Sequence, residues 1–146
     1  MGTNFYVRQI MTEKQKEKLH KLIDENKFNE IRLAIPVQVH IGKRSAGWRF
    51  CFNHNDWEWY SDVEDLKQFI QSNELYDEYG EEIEFDDFWN DIEAREKDPK
   101  MLDGDRYEER WDEIHPNTPK PDYMRRGYKG DEDHFGYRFS TSTDFS

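Results

Sequence analysis

From Trp48 to Phe52, every second residue is a large aromatic ring. This two-residue period is typical of a β-strand that buries one of its faces. The segment Ile31–Ile41 before it is rich in β-branched and apolar residues, and Pro36 inside that segment predicts an edge strand or a bulged strand. We therefore expect a β-hairpin around residues 31–53, in which residues 42–47 form a six-residue connection.

Three helices are predicted around this hairpin. A capping box at residues 12–15, in which side chains satisfy the free amides of the first turn, predicts a helix that ends near residue 26. A second box at residues 61–64 predicts a helix that ends near residue 73, and inward-facing rings predict a third helix over residues 84–97. Residues 74–84 are predicted to be a loop, and the alternation at residues 137–139 predicts a final short strand.

The length and the composition are those of one folded domain. A chain of 146 residues can bury a core without help from disulfides. The aromatic content of 16% compensates for an apolar content of only 34%, because each large ring buries on the order of 150–250 Å². The prediction is an α+β fold with a small antiparallel sheet packed by two to three helices. We expect a single domain over residues 1–146 that is polar and loop-rich from about residue 115.

The net charge of −12 is distributed unevenly. Residues 1–50 carry 10 basic and 5 acidic side chains, and residues 51–115 carry 6 basic and 23 acidic side chains. The acidic middle repels duplex DNA and attracts basic partners, although acidic surfaces also serve solubility or imitate the phosphates of DNA. The candidate partner-binding residues are Glu81, Glu82, Glu84, Asp86, Asp87 and Asp91.

The segment from His40 to Arg49 is the candidate ligand-binding site. Its two glycines permit tight turns near a ligand, and its cations, hydroxyl and aromatic ring suit an anionic, nucleotide-like small molecule. It is not a P-loop, because Arg44 follows Lys43 where that motif requires Ser or Thr. An exposed hairpin turn has the same residue types, so a structural interpretation stays open. The candidate ligand-binding residues are His40, Gly42, Lys43, Arg44, Ser45, Gly47, Trp48 and Arg49.

Three motifs connect the chain to a known family. They are Met-Gly-Thr-Asn-Phe-Tyr at residues 1–6, His-Ile-Gly-Lys-Arg-Ser-Ala-Gly-Trp at residues 40–48 and Gly-Tyr-Arg-Phe-Ser at residues 136–140. With them the chain resembles a family of short proteins common in phages and prophages, which implies a phage origin. Many members carry a Cys-x-x-Cys pair before the second motif, as if for zinc. This chain has a lysine-rich segment there and a single cysteine, so we expect neither a metal nor another cofactor.

These features predict a phage accessory protein that counteracts a host defence system by binding. It would either capture an anionic ligand at residues 40–49 or dock its acidic middle on a basic host protein. The alternatives are a small enzyme that acts on phosphodiesters, with His40 as acid or base and Lys43 steadying charge, and a virion or assembly component. Cys51 and His54 fall on opposite faces of a strand, which disfavours a nucleophilic pair. One cysteine, no signal-peptide pattern and no apolar run of membrane length predict the host cytoplasm and no membrane partner.

Overall fold

The computed structural model describes residues 2–53, 60–125 and 130–140. Within these residues the chain forms one six-stranded sheet and seven helices, which confirms the predicted α+β class. The strands are β1 (Gly2–Arg8), β2 (Gln38–Ser45), β3 (Cys51–Phe52), β4 (Glu74–Asp77), β5 (Asp131–His134) and β6 (Tyr137–Ser140). The helices are α1 (Glu13–Asp24), α2 (Phe28–Ala34), α3 (Val63–Gln71), α4 (Phe85–Lys97), α5 (Gly104–Glu109), α6 (Trp111–Ile114) and α7 (Asp122–Arg125).

The sheet is mixed, and its strand order is β4-β1-β2-β3-β6-β5. Strands β3 and β6 pair in parallel, whereas the other neighbouring pairs are antiparallel. The prediction of an antiparallel sheet is therefore wrong for this pair. Parallel strands need a long crossover connection, and the chain between residues 52 and 137 supplies one.

The opening of the chain forms a central strand, which the sequence analysis did not predict. Strand β1 lies between β2 and β4, with Phe5 and Val7 buried and Tyr6 on the opposite face. Strand β4 also falls within the segment 74–84, which was predicted to be a loop. The family-like opening at residues 1–6 thus takes part in the sheet itself.

The predicted strand from Ile31 to Ile41 is wrong in its first half. Residues Phe28–Ala34 form α2, and the backbone turns extended at Ile35, immediately before Pro36. A residue that precedes proline is restricted to extended conformations, so the proline ends a helix here.

The predicted six-residue connection at residues 42–47 is also wrong. Strand β2 continues to Ser45 because it pairs with β1 over its whole length, whereas β3 pairs only with Gly42 and Lys43. The reversal of the chain is a short turn, in which the amide of Trp48 donates to the carbonyl of Ser45 at 3.1 Å. Gly47 has φ of 80° in this turn, a left-handed conformation that favours glycine.

The predicted helices are present, with one change of cap. The capping box of Thr12 and Gln15 begins α1, and α4 occupies the third predicted segment. The second helix starts one residue later than expected, because Asp62 rather than Ser61 is the cap and accepts from the amide of Asp65 at 2.8 Å.

Helices α3 and α4 pack on one face of the sheet and bury its aromatic core. The rings of Phe5, Phe50, Phe52 and Phe139 meet Phe88 and other side chains of these helices. Helices α1 and α2 bury no side chain. The core thus places α4, which carries three of the six candidate partner-binding residues, against β1 and β2.

Candidate functional site

A β-bulge in β2 decides where the predicted ligand-binding residues point. Phe5 of β1 pairs with Gly42, whereas the next residue, Tyr6, pairs with His40. Ile41 is therefore one extra residue on β2, and such an insertion changes which side chains face each side of the sheet.

The bulge separates the predicted set into two groups. Gly42 and Arg44 lie on the face that the helices cover, where the Arg44 guanidinium sits over the Phe5 ring, 5.4 Å from its centroid. Lys43 and Ser45 lie on the opposite face of the sheet. The eight predicted residues consequently do not surround one ligand.

Gly42 is required by packing rather than by a turn. A Cβ atom at this position would lie 2.4 Å from Cε1 of Phe50 and 2.5 Å from the carbonyl oxygen of Cys51. The Phe50 ring fills the space that a side chain would need, so Gly42 belongs to the core rather than to a ligand site.

Arg49 is the centre of a buried ion-pair network. Its guanidinium lies 2.9 Å from Glu96, 3.0 Å from Asp103 and 2.7 Å from Asp133, and it donates to the carbonyl of Gly136 at 3.3 Å. Burial lowers the pKa of Arg49, but the hydrogen bonds with Glu96 and Asp133 outweigh it and raise this pKa above its ordinary value. Arg49 therefore holds the fold together and is fully engaged within the chain.

His40 lies on the open side of the sheet in contact with β1. Its ring stacks on Tyr6 with centroids 4.8 Å apart, and its Nε2 lies 3.0 Å from Oδ1 of Asn4. Burial lowers the pKa of His40, which keeps the imidazole neutral at neutral pH. These contacts anchor the side chain between two strands.

Lys43, Ser45 and Trp48 are the three predicted ligand residues that share a cavity. They line a hollow of about 270 Å³ together with Cys51 and Arg138, among others. The Arg138 guanidinium lies over the Trp48 ring, 4.9 Å from its centroid. Sequence analysis missed Arg138 because 89 residues separate it from Arg49, whose backbone carbonyl accepts from its side chain.

Three of the six predicted partner-binding residues line one cleft. Glu81, Asp87 and Asp91 face it, joined by Asp77 from the end of β4 and by Arg44 from β2. The three other predicted residues lie outside this cleft: Glu82 lines a neighbouring hollow, Glu84 precedes the first turn of α4, and Asp86 is exposed in that turn.

The floor of this cleft is apolar. It is formed by Phe5, Phe50 and Phe88 of the core and by the half-buried Ile83, and the cleft has a volume of about 200 Å³. We call this space, bounded by these four residues, Arg44 and the four carboxylates, the acidic cleft. It combines a wall of negative charge with an apolar base.

The carboxylates of the acidic cleft differ in how they are paired. Asp77 accepts from the amides of Tyr79 and Glu81 at 2.9 and 3.0 Å. Asp91 lies 3.1 Å from Nε of Arg95 and 3.7 Å from Nη1 of Arg44.

The other two carboxylates of the cleft have no partner in the part of the chain that the structure describes. The side chains of Glu81 and Asp87 make no hydrogen bond or ion pair with any residue in the described ranges 2–53, 60–125 and 130–140. The cleft is therefore short of positive charge.

Cys51 carries a buried thiol. Burial raises the pKa of Cys51 to about 11, so its thiol stays protonated at neutral pH. His54, which was predicted to face away from Cys51, lies outside the described residues. Within the described part of the chain, no group of three or more His, Cys, Asp or Glu residues is arranged to hold a metal ion. In the same part, no helix is both long enough and apolar enough to cross a membrane.

No family model, no curated protein and no solved structure matches this chain. The resemblance to phage proteins therefore stays a prediction from the sequence motifs.

Proposed function

We propose that this protein is a phage accessory protein that binds a basic protein of the host cell through its acidic middle, without catalysis. The observation that carries the proposal is the acidic cleft, in which four carboxylates face a single guanidinium and two of them lack a partner among the described residues. In the context of the phage resemblance, the partner is a host defence protein and the site of action is the host cytoplasm.

The charge of the middle segment supports this function. Residues 51–115 carry 17 more acidic than basic side chains. Such an excess attracts a cationic surface over a distance of about one Debye length, roughly 10 Å at 0.1 M salt, and mainly increases the rate of encounter. The acidic cleft then presents negative charge beside apolar surface to the basic partner.

A second candidate function is capture of a small anion in the hollow beside Trp48. The observation that favours it is that Lys43, Ser45 and Trp48 share this hollow with Arg138. Asp131 already pairs with Arg138, which reduces the positive charge offered to a ligand. Acidic docking is therefore the better supported of the two functions.

Catalysis on phosphodiesters receives less support than binding. His40, the proposed acid or base, is held between Tyr6 and Asn4, and Lys43 lies on β2 beyond the bulge. The role as a virion or assembly component remains an alternative prediction, because it would also rest on binding.

Native mass spectrometry of the protein purified from host lysate tests the proposal. Acidic docking predicts a complex with a basic protein that dissociates as salt is raised. A retained small anion without a protein partner would favour the second candidate instead. Recovery of the bare chain alone would contradict both functions.

A further inference from the structure

We propose that the acidic cleft receives one arginine side chain of the basic partner, with its aliphatic stem against Ile83 at the base and its guanidinium paired with Glu81 and Asp87. This inference rests on the proposed docking function and adds the chemical group that is recognised. The occupant follows from three properties of the cleft: its size, its polarity and the guanidinium that it already holds.

The size of the acidic cleft suits a single side chain. Its volume of about 200 Å³ is below the roughly 300–1,000 Å³ of typical small-molecule pockets. Pockets of this kind in protein interfaces commonly hold one anchoring side chain, and arginine is among the residues enriched there.

The polarity of the acidic cleft suits a long side chain with a cationic end. The half-buried Ile83 offers apolar surface at the base beside the buried rings of Phe5 and Phe50, and Glu81 and Asp87 offer carboxylates that have no partner among the described residues. Arginine and lysine side chains place apolar stems on such surfaces while keeping the charged end near polar groups. An uncharged apolar side chain would leave the carboxylates unpaired, and an acidic one would be repelled.

The chain's own Arg44 shows that the cleft accommodates a guanidinium. Its terminal carbon lies over the Phe5 ring, 5.4 Å from the centroid, while Nη1 lies 3.7 Å from Oδ2 of Asp91. A ring on one side and a carboxylate on the other is a favourable environment for a guanidinium. Arg44 engages only Asp91 in this way, so Glu81 and Asp87 remain for a second cation.

Arginine is preferred to lysine because of the shape and the donors of its guanidinium. A guanidinium is planar and carries five donors in a rigid fork, so it can bridge two carboxylates while its flat face rests on apolar surface. A lysine ammonium is a compact and strongly hydrated charge, which gains less from this geometry.

Binding of acetylated and amidated hexaarginine and hexalysine at 150 mM NaCl tests this inference. At this salt concentration long-range attraction is largely screened, so contacts in the cleft dominate the difference between variants. The test variant is Glu81→Gln with Asp87→Asn. The matched control is Glu84→Gln with Asp86→Asn, which removes the same charge from the same exposed stretch outside the cleft.

We expect the test variant to bind hexaarginine about three- to thirtyfold more weakly than the wild type, since it loses two ion pairs of partly exposed groups. The control should lose less than about twofold. In the wild type, hexaarginine should bind more tightly than hexalysine and should shift the methyl NMR signals of Ile83, which lines the cleft, but not those of Ile23 on α1.

Several results would overturn the inference. They are an equal loss in both variants, an unchanged Ile83 signal, equal binding of the two peptides, and no hexaarginine binding to the wild type. If a basic partner is still recovered from lysate in any of these cases, docking stands and only the arginine recognition is rejected. If no basic partner is recovered, the docking function itself fails.

Discussion

Replacement of Arg49 by Met removes the cation at the centre of the buried network and keeps a side chain of similar length. The Arg49 side chain is 6% exposed, and the side chains of its partners Glu96 and Asp103 are 16% and 13% exposed. The third partner, Asp133, is 65% exposed and contributes little because water screens it. Removing one member of a buried pair leaves an uncompensated charge and costs about 3–5 kcal/mol. We expect Arg49→Met to lower the free energy of unfolding at pH 7 by this amount.

The loss of unfolding free energy in Arg49→Met should be smaller at lower pH. Burial already raises the pKa of Glu96 above its unfolded value of about 4.3, and the loss of Arg49 removes the hydrogen bond and the charge that lower it, so this pKa rises further in the folded variant. A carboxyl with a raised folded pKa destabilises the fold at high pH and stops doing so as it becomes protonated. The stability deficit of the variant relative to wild type should therefore shrink as the pH falls from 7 towards 5.

Urea unfolding monitored by tryptophan fluorescence at pH 7 and pH 5 measures both effects. The control is Arg110→Met, which removes an exposed pair with Glu113, whose two side chains are 41% and 70% exposed. This control should cost less than about 1 kcal/mol. A loss below about 1 kcal/mol for Arg49→Met at pH 7, or an equal loss at both pH values, would refute the role given to the network.

Three further predictions concern the hairpin. Gly47→Ala should cost about 1–2 kcal/mol in urea unfolding, because φ is 80° there while the space around a new Cβ is open. Gly42→Ala should cost about 1–3 kcal/mol, because its Cβ would lie 2.4 Å from the Phe50 ring and 2.5 Å from the carbonyl oxygen of Cys51; an unchanged stability would show that both neighbours move aside freely. Cys51, with a pKa of about 11, should react with iodoacetamide near pH 7.5 about a hundredfold more slowly in the folded protein than in urea. Rapid labelling of the folded protein would contradict its burial.

Local sequence patterns predicted the elements that depend on interactions between residues close in sequence. The capping box of Thr12 and Gln15 predicted the start of α1, and the amphipathic pattern predicted α4. The structure contains both helices. The alternation of Phe5 and Val7 with Tyr6 in β1 is the same kind of local signal for a strand. Pro36 is compatible with an edge strand, but a proline also ends a helix, and this is its role after α2.

Contacts between distant parts of the chain could not be predicted in this way. The parallel pairing of β3 with β6 joins Cys51 to Arg138, and no local pattern specifies it. Arg49 has the charge and the hydrogen-bond donors of a ligand-binding residue. Its burial against Glu96 and Asp133 follows only from the three-dimensional structure.

The candidate sites show the same division between local and distant information. The sign and the position of the acidic stretch were predictable from the sequence. The acidic cleft was not predictable, because separate elements form it. Asp77 comes from β4, Arg44 from β2 and Asp87 from α4.

Charge reversal of the acidic stretch tests the docking function most directly. The test variant changes Glu81, Glu82, Asp86 and Asp87 to Lys. The control makes the same change in charge at four exposed positions around α1 and α2, namely Glu13, Glu17, Glu25 and Glu30. Thermal unfolding followed by circular dichroism verifies that both variants are folded, since the loss of carboxylates from the first turn of α4 weakens that helix slightly.

The measurement is recovery of the host partner from lysate by wild type, test variant and control at 0.1 M and 0.5 M salt. Acidic docking predicts that wild type and control recover the same basic protein at low salt, that the test variant does not, and that high salt weakens recovery. Equal recovery of that protein by the test variant at both salt concentrations would contradict acidic docking.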